Sequence, residues 1–356
     1  MKDRALALVV GLAVLVGLAA SAGAEVDLQS ALERAYRDYR GLDEGRNAQY
    51  IPALAEADSK RFGLAAVTVD GDVFTAGDAD VPFAIMSAAK PFTLALVLEQ
   101  HGRAFVRERI GVEPTGEPFN ALEDDFATGR APLNPMVNAG AIATVSLVEA
   151  KDSDARWSLI LDRYGVFAGE PLEIMNRVYD SVGGSNFRNR ALVNLLEEKG
   201  RLGADPLSSL EVYNRQSSVG VTARQLATMG ATLANGGLNP RTGKRAMAPA
   251  LVDEVLAVML MAGFYDESGR WAYDVGLPAK SGVGGGIVAV VPGRMALAAY
   301  SPKLSPAGNS VRGMRALASI AEDLGLSLFT SRPKGRATGS GKAAVQPDKS
   351  DNHEPW

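Results

Sequence analysis

The stretch FAIMSAAK, residues 83–90, places a Ser-x-x-Lys step at the start of an apolar segment that runs to Gln100. This segment predicts a helix over residues 87–100, with Pro91 in the first turn, where a missing N–H is tolerated. Positions i and i+3 share a helix face, so Lys90 is expected to reach the Ser87 oxygen and, when neutral, to take its proton. The pattern therefore predicts a nucleophile beside its base.

The composition supports that pairing by removing competitors. The 356 residues include no cysteine and two histidines, which leaves no cysteine nucleophile and few parts for a histidine triad. His353 lies in a polar terminal stretch, and His101 precedes Gly102 where a helix C-terminus favours a histidine. No group of acidic or histidine residues has metal-ligand spacing, so we expect no metal and no cofactor.

The charge of the chain bears on its partners. A formal net charge of −4 and a pI of about 5.5 lack the basic face that nucleic-acid binding requires, so no nucleic-acid partner is expected. With 47% hydrophobic and 22% charged residues, the composition is that of a globular enzyme-sized chain. Anionic polymers are therefore poor candidate partners, and the expected partner is a small-molecule substrate.

Both ends of the chain differ from its middle. Residues 1–24 combine a charged start, an apolar run and a closing Ala22-Gly23-Ala24, which is typical of a cleaved secretory signal peptide. This segment predicts export to the periplasm or secretion, with an uncleaved membrane anchor as the alternative. Residues 331–356 are polar and rich in Gly, Pro and Ser, which predicts a disordered tail. The catalytic domain is thus expected over 25–330.

Within this domain, strands are predicted at both flanks and helices in the middle. Predicted strands cover residues 64–69, 73–76, 279–281, 286–291 and 295–300, and predicted helices cover 27–41 and 311–324. A block of helices from about 134 to 261 separates the two sets of strands. The expected fold class is α/β (α+β): an antiparallel sheet flanked by helices, with an inserted helical lobe.

A second short box strengthens the first. Lys280-Ser281-Gly282 lies on a predicted strand and precedes a glycine run. Together the two boxes match the Ser-x-x-Lys and Lys-Thr-Gly pattern of penicillin-binding proteins and serine β-lactamases. A lysine on the facing strand is expected to depress the pKa of Lys90 by like-charge repulsion, and the glycines allow a substrate to approach the backbone.

Six motifs, two of which contain the boxes above, make the chain similar to the serine-dependent glutaminases, and the matching region extends from about residue 50 to 313. They are FAIMSAAK at 83–90, VEPTG at 112–116, NPMVNAGAI at 134–142, MGATLANGG at 229–237, FYDESG at 264–269 and GLPAKSGV at 276–283. The resemblance implies the β-lactamase and penicillin-binding fold. It also implies hydrolysis of the side-chain amide of L-glutamine to L-glutamate and ammonia through an acyl-enzyme, in a homodimer or homotetramer.

The resemblance also implies roles for particular residues. Ser87 would be the nucleophile, Lys90 its base and Tyr265 a proton relay to the leaving ammonia. The backbone N–H groups of Ser87 and Val283 would form the oxyanion hole, with Lys280, Ser281 and Gly282 in support. The amino-acid part of the substrate would be held by side chains that offer hydrogen bonds without charge, which are Tyr50, Asn138, Asn189 and Tyr213.

One position departs from the family pattern. The family carries a glutamate seven residues before the substrate-binding asparagine, where it meets the α-ammonium of the substrate, and this chain has Val182 there. Valine cannot balance that charge, so three hypotheses remain open. The chain is a glutaminase in which another acid such as Asp180 substitutes, an amidohydrolase of a substrate without a free α-amino group such as an N-acylglutamine or a β-lactam, or a non-catalytic binding protein.

Overall fold

The computed structural model describes residues 27–116 and 134–330. The predicted signal peptide at 1–24 and the predicted tail at 331–356 lie outside the described residues. In the described ranges, no helix is both long and apolar enough to cross a lipid bilayer.

One antiparallel sheet joins the two flanks of the chain. Its five strands are β1 (Gly63–Thr68), β2 (Val73–Gly77), β5 (Ala279–Ser281), β6 (Gly286–Val291) and β7 (Met295–Tyr300), in the order β2-β1-β7-β6-β5. The N-terminal β1 pairs with the C-terminal β7 so that Gly63 faces Tyr300 and Thr68 faces Met295. Two short strands, β3 (Phe83–Ala84) and β4 (Gly220–Val221), form a separate antiparallel pair. The predicted antiparallel sheet is confirmed.

Helices cover both faces of this sheet and fill the middle of the chain. In the described residues they are α1 (Leu28–Tyr39), α2 (Pro52–Ala55), α3 (Lys90–Arg109), α4 (Asn138–Ser146), α5 (Ser153–Ala168), α6 (Asn176–Ser185), α7 (Phe187–Glu198), α8 (Pro206–Ser217), α9 (Ala223–Ala234), α10 (Val252–Ala262), α11 (Ser268–Asp274) and α12 (Val311–Asp323). Short 3₁₀ turns lie at Met86–Ala89, Pro249–Leu251 and Tyr265–Glu267.

Strand β6 shows how the two faces are filled. Ile287 and Ala289 belong to the core between the sheet and helices α1 and α12, whereas Val288 and Val290 belong to the core that includes α9. Because both faces are covered, the strand is apolar throughout instead of alternating. Gly230 lets α9 approach closely, since a Cβ there would lie 2.6 Å from a methyl group of Val288.

Helices α4, α7 and α8 pack mainly against one another, and α5 packs on α8, α9 and α3. Helix α9 falls inside the predicted block of about 134–261 but packs on strands β1, β6 and β7. The end of α3 also differs from its prediction: the helix continues past residue 100, with a break at Gly102, whose φ is +78°. The active-site cavity described below lies where the sheet edge meets the packed helices.

Candidate active site

Ser87 lies in the 3₁₀ turn that precedes α3, one residue after a strained backbone position. Met86 has a φ of +49°, a left-handed conformation that bulky side chains rarely adopt. In a 3₁₀ turn the side chains at i and i+3 eclipse, which places Ser87 and Lys90 on one side. The regular α-helix predicted from residue 87 therefore begins at Lys90, and the turn before it presents the hydroxyl.

Lys90 is 2% exposed and carries its amine between two oxygen acceptors. Nζ donates to the carbonyl of Met136 at 3.0 Å and to Oδ1 of Asn138 at 2.9 Å. Burial lowers the pKa of Lys90 to about 7, so the neutral amine is well populated near neutrality. A neutral amine has two N–H bonds and one lone pair, so these two acceptors leave the lone pair for a third partner.

In the described residues, Lys90 makes no hydrogen bond to Ser87. Catalytic hydrogen bonds are often long or misaligned before substrate binds, so this geometry does not remove Lys90 as the base. The shared side of the turn still brings the two groups together.

Lys280 is also fully buried, and its role differs from the prediction. Nζ donates to the carbonyls of Gly263 at 3.0 Å and Ser281 at 2.7 Å. Burial first, and the charge of Lys90 second, lower the pKa of Lys280 well below its usual value. Burial accounts for the lowered pKa of Lys90. The repulsion between the two lysines therefore lowers the pKa of Lys280, and the expected effect of Lys280 on the pKa of Lys90 is not observed.

Tyr265 presents its hydroxyl to Ser87 from a second strained turn. Its φ is +60°, and together with Met86 it is one of two non-glycine residues with a left-handed backbone in the described part of the chain. The hydroxyl interacts with Ser87 and lies 3.4 Å from the Ser281 carbonyl. Burial raises the pKa of Tyr265 to about 12, so the phenol is protonated at neutral pH. Lys280 Nζ lies 4.0 Å from the centre of its ring.

Asn309 fixes the turn that carries Tyr265 to the end of β5. Its Oδ1 accepts the Ser281 hydroxyl at 2.5 Å, and its Nδ2 donates to Glu267 Oε2 at 2.5 Å and to the Phe264 carbonyl at 3.3 Å. Phe264 and Glu267 lie on either side of Tyr265 in the sequence. The buried side-chain amide of Asn309 therefore connects both sides of this turn to Ser281 of β5. Asn309 was not predicted from the sequence, because a Gly-Asn-Ser loop 28 residues from Ser281 predicts only a turn.

Gly282 brings the strand edge against the nucleophile turn. A Cβ on Gly282 would lie 2.6 Å from the Ile85 carbonyl and 3.2 Å from the Ser87 backbone nitrogen. Only glycine allows this approach, and the next residue, Val283, lines the same cavity as Ser87. Ser87 and Val283 thus border one cavity, at the place where their N–H groups are predicted to form an oxyanion hole.

A cavity of about 310 Å³ opens in front of Ser87. The residues that line it are Tyr50, Ile51, Met86, Ser87, Asn138, Val182, Ser185, Asn186, Phe187, Arg188, Asn189, Tyr213, Ser217 and Val283. Of the residues predicted to bind the substrate, all but one are in this wall, namely Ser87, Tyr50, Asn138, Asn189, Tyr213 and Val283. Tyr265, the remaining one, is not among the lining residues. Phe187 and Arg188 also line the cavity. Neither was predicted from the sequence, since they carry no motif of their own.

Two asparagines and a tyrosine form a hydrogen-bonded chain along the wall. Asn138 Oδ1 accepts from Lys90 and from the Tyr213 hydroxyl, the latter at 3.0 Å, and Asn138 Nδ2 donates to Asn189 Oδ1 at 3.1 Å. These bonds fix the orientation of both amides, which directs the Nδ2 group of Asn189 away from Asn138. The chain links Lys90 to two side chains of the cavity wall, Asn189 and Tyr213.

Val182 occupies the wall as the sequence indicated, and no acid replaces it from its own helix. Val182 is 6% exposed and belongs to an apolar cluster with Met86 and Val283. Asp180 lies on the same helix, but it is exposed and does not line the cavity. The suggestion that Asp180 supplies the missing carboxylate is therefore not supported by the geometry. Over the described ranges, no group of three His, Cys, Asp or Glu residues could hold a metal ion.

Comparison with known proteins places this site in a family. A sequence profile of the Glutaminase family matches residues 45–329. The chain is 52% identical over 308 residues to a glutaminase of Brucella canis, covering 86% of this chain and 97% of that protein. It is 51% identical over 302 residues to a glutaminase of Bordetella avium, with 85% and 97% covered.

Solved structures agree with the sequence relatives. A probable glutaminase, ybaS, superposes with a TM-score of 0.83 at 48% identity, covering 85% of this chain and 98% of that one. The Bacillus subtilis glutaminase YbgJ, solved as a covalent complex with 5-oxo-L-norleucine formed from 6-diazo-5-oxo-L-norleucine, superposes with a TM-score of 0.78 at 30% identity. That match covers 85% of this chain and 100% of YbgJ. The predicted fold class, of the β-lactamase-like type, is confirmed.

Proposed function

The chain belongs to the glutaminase family, and we propose that it hydrolyses the side-chain amide of L-glutamine to L-glutamate and ammonia through an ester on Ser87. The observation that carries the mechanism is the amine of Lys90. It is buried, its pKa is lowered to about 7, and two acceptors occupy its hydrogens. Its lone pair is therefore available to the Ser87 hydroxyl.

The first step of acylation transfers one proton and forms one bond, which gives a tetrahedral intermediate. Lys90 takes the hydroxyl proton as Ser87 Oγ attacks the amide carbon, and the carbonyl oxygen becomes an oxyanion held by the N–H groups of Ser87 and Val283. Positive charge on Lys90 is transient, because its buried site disfavours the ammonium.

Departure of ammonia requires a proton on the amide nitrogen. The Tyr265 hydroxyl is protonated and lies beside Ser87, so it gives that proton as the C–N bond breaks and regains one from Lys90. In deacylation the same groups activate water: the water proton passes to the base, the hydroxide attacks the ester, and Ser87 leaves with a proton. Glutamate is then released and Lys90 is neutral again.

The amino-acid portion of the substrate is assigned to the uncharged polar wall. Asn138, Asn189 and Tyr213 form a fixed hydrogen-bonded chain. Tyr50, from the segment before β1, lines the same cavity. Fixed amides and hydroxyls bind a small polar ligand without reorganising, which favours a defined pose.

Substitution of the nucleophile tests this proposal. Ser87→Ala is expected to reduce ammonia release from L-glutamine by about 10⁴-fold or more and to prevent labelling by 6-diazo-5-oxo-L-norleucine. Ser158→Ala is the matched control, because Ser158 is an exposed serine of α5 outside the cavity. Full activity or continued labelling in Ser87→Ala would exclude Ser87 as the nucleophile.

Export and assembly belong to the same proposal. The small-residue close of the N-terminal apolar run supports cleavage after Ala24, so the mature protein should begin at Glu25 and be found in the periplasm or the medium. N-terminal mass determination of the expressed full chain checks this, and an intact N-terminus in the membrane fraction would favour an anchor. A homodimer or homotetramer is proposed from the family resemblance and is checked by light scattering.

A further inference from the structure

The wall of the active-site cavity carries no acidic side chain in the described part of the chain. Of its fourteen lining residues, one is charged, and that residue is the cation Arg188. The remaining polar side chains are hydroxyls and amides. A ligand cation in this cavity has neutral acceptors but no counter-ion, whereas a ligand anion meets a guanidinium.

The region around Val182 is apolar as well as uncharged. Val182 packs in a cluster with Met86 and Val283, which adjoin the nucleophile and the proposed oxyanion hole. Ile51 belongs to the same cluster and lines the same cavity. An ammonium placed against this wall would lose its hydration without gaining a charged partner, which is strongly unfavourable.

Acidic residues on the surrounding helices do not compensate. Asp180 is exposed on α6, outside the cavity wall. Glu56 pairs with Arg177, and Glu211 pairs with Arg215 at 3.1 Å. Neither glutamate lines the cavity, so neither supplies a counter-ion there.

Two exposed aromatic rings also line the cavity. Phe187 is 73% exposed and Tyr50 is 51% exposed. Large apolar side chains at the wall of a binding pocket provide contact area for an apolar part of a ligand. The cavity thus offers a surface that the small, zwitterionic L-glutamine does not need.

We propose that this site hydrolyses the side-chain amide of N-acylated L-glutamine, including glutamine at the C-terminus of a peptide, in preference to free L-glutamine. Acylation removes the α-ammonium, so the apolar wall at Val182 no longer faces a charge. The free α-carboxylate gives the substrate a negative charge that Arg188 attracts, and the acyl group meets Phe187 and Tyr50. The inference rests on the proposed function, because the same Ser87 ester forms and the same ammonia leaves.

The test compares ammonia release from L-glutamine and N-acetyl-L-glutamine by the purified full chain and two variants. The wild type is expected to show a kcat/KM about tenfold or more higher for N-acetyl-L-glutamine. Val182→Glu should reverse that preference by supplying a carboxylate. The glutamine in Val182→Gln is nearly the same size as glutamate but has no charge, so this variant should not reverse the substrate preference. The pair of variants separates the effect of charge from the effect of side-chain size.

The outcomes distinguish the two levels of the proposal. A wild type that prefers L-glutamine would overturn the inference and leave the glutaminase reaction standing. Reversal by Val182→Gln as well as Val182→Glu would also overturn it, since size and not charge would then set the preference. Release of ammonia from neither substrate by folded wild-type protein would overturn the proposed function itself, and the inference with it.

Discussion

The Nζ atom of Lys90 lies 2.9 Å from Oδ1 of Asn138, and the same Oδ1 accepts the Tyr213 hydroxyl. This single oxygen joins the proposed base to the substrate-binding wall. An uncharged acceptor orients the amine without stabilising its protonated form as a carboxylate would. The pairing therefore explains how Lys90 can be hydrogen-bonded and still neutral near pH 7.

Replacing the amide of Asn138 by a carboxylate tests this relationship. Lys90 must be neutral to act as base, so kcat/KM should rise with pH through about 7 in the wild type. In Asn138→Asp a negative charge beside Nζ favours the ammonium and raises the pKa of Lys90. The acidic limb of the pH profile should move upward by about one unit or more. An unmoved limb would show that another group titrates there.

The lowered pKa of Lys90 should also make the free energy of unfolding depend on pH. The unfolded chain keeps this lysine protonated up to about its ordinary pKa of 10.5, whereas the folded chain loses the proton near 7. Between these values the unfolded state binds the extra proton, so Lys90 makes the unfolding free energy rise by about 1.4 kcal/mol per pH unit. Below pH about 7 both states are protonated and this slope vanishes.

Denaturant unfolding of wild type and Lys90→Met at two pH values above neutrality measures that slope. Lys280 contributes in both proteins, so the difference between them reports Lys90. The wild type should gain more stability than Lys90→Met as the pH rises from 7 toward 10. Parallel changes in the two proteins would contradict burial of a neutral Lys90.

Gly282→Ala should impair catalysis by displacing the nucleophile turn. The added methyl would lie 2.6 Å from the Ile85 carbonyl, a backbone atom that can move only together with the Ser87 turn. We expect kcat to fall by about 10²-fold with a smaller change in KM, because misplacement of reacting groups affects the transition state most. Gly41→Ala is the control, since nothing lies within 4 Å of its added methyl.

Asn309→Ala should lower kcat through the Tyr265 turn, although Asn309 does not line the cavity. Loss of the amide removes the hydrogen-bond partner that Ser281 and Glu267 share. The turn that carries Tyr265 then loses its connection to β5, so the Tyr265 hydroxyl is less precisely positioned. The expected result is a fall in kcat of about tenfold or more with KM little changed and a shifted basic limb of the pH profile. Asn194→Ala, at an exposed helical asparagine, is the control. A lower melting temperature with unaltered kinetics would mean a structural role alone.

Local sequence was sufficient to predict most strands of the sheet and to single out the Ser-x-x-Lys step at 87–90 and the Lys-Ser-Gly box at 280–282. The strands at 279–281, 286–291 and 295–300 form with the predicted bounds, because apolar runs between glycine turns leave few alternatives. The start of the helix at Ser87 was less well predicted. The backbone of Met86 is left-handed, and a 3₁₀ turn over Met86–Ala89 replaces the predicted first turn of the helix. The strand end that carries Gly282 packs against this turn, although Gly282 lies almost 200 residues away in the sequence.

The sequence by itself determined the fold class, the Ser87 and Lys90 pair and the absence of a carboxylate at position 182, since each depends on residue identity at short spacing. The tertiary structure decided the rest. Burial sets the pKa of Lys90, and Asn309 joins Phe264, Glu267 and Ser281 across the chain. It also placed Asp180 outside the cavity and Arg188 in its wall. Desolvation and long-range hydrogen bonds depend on what surrounds a group in space, which residue order alone does not specify.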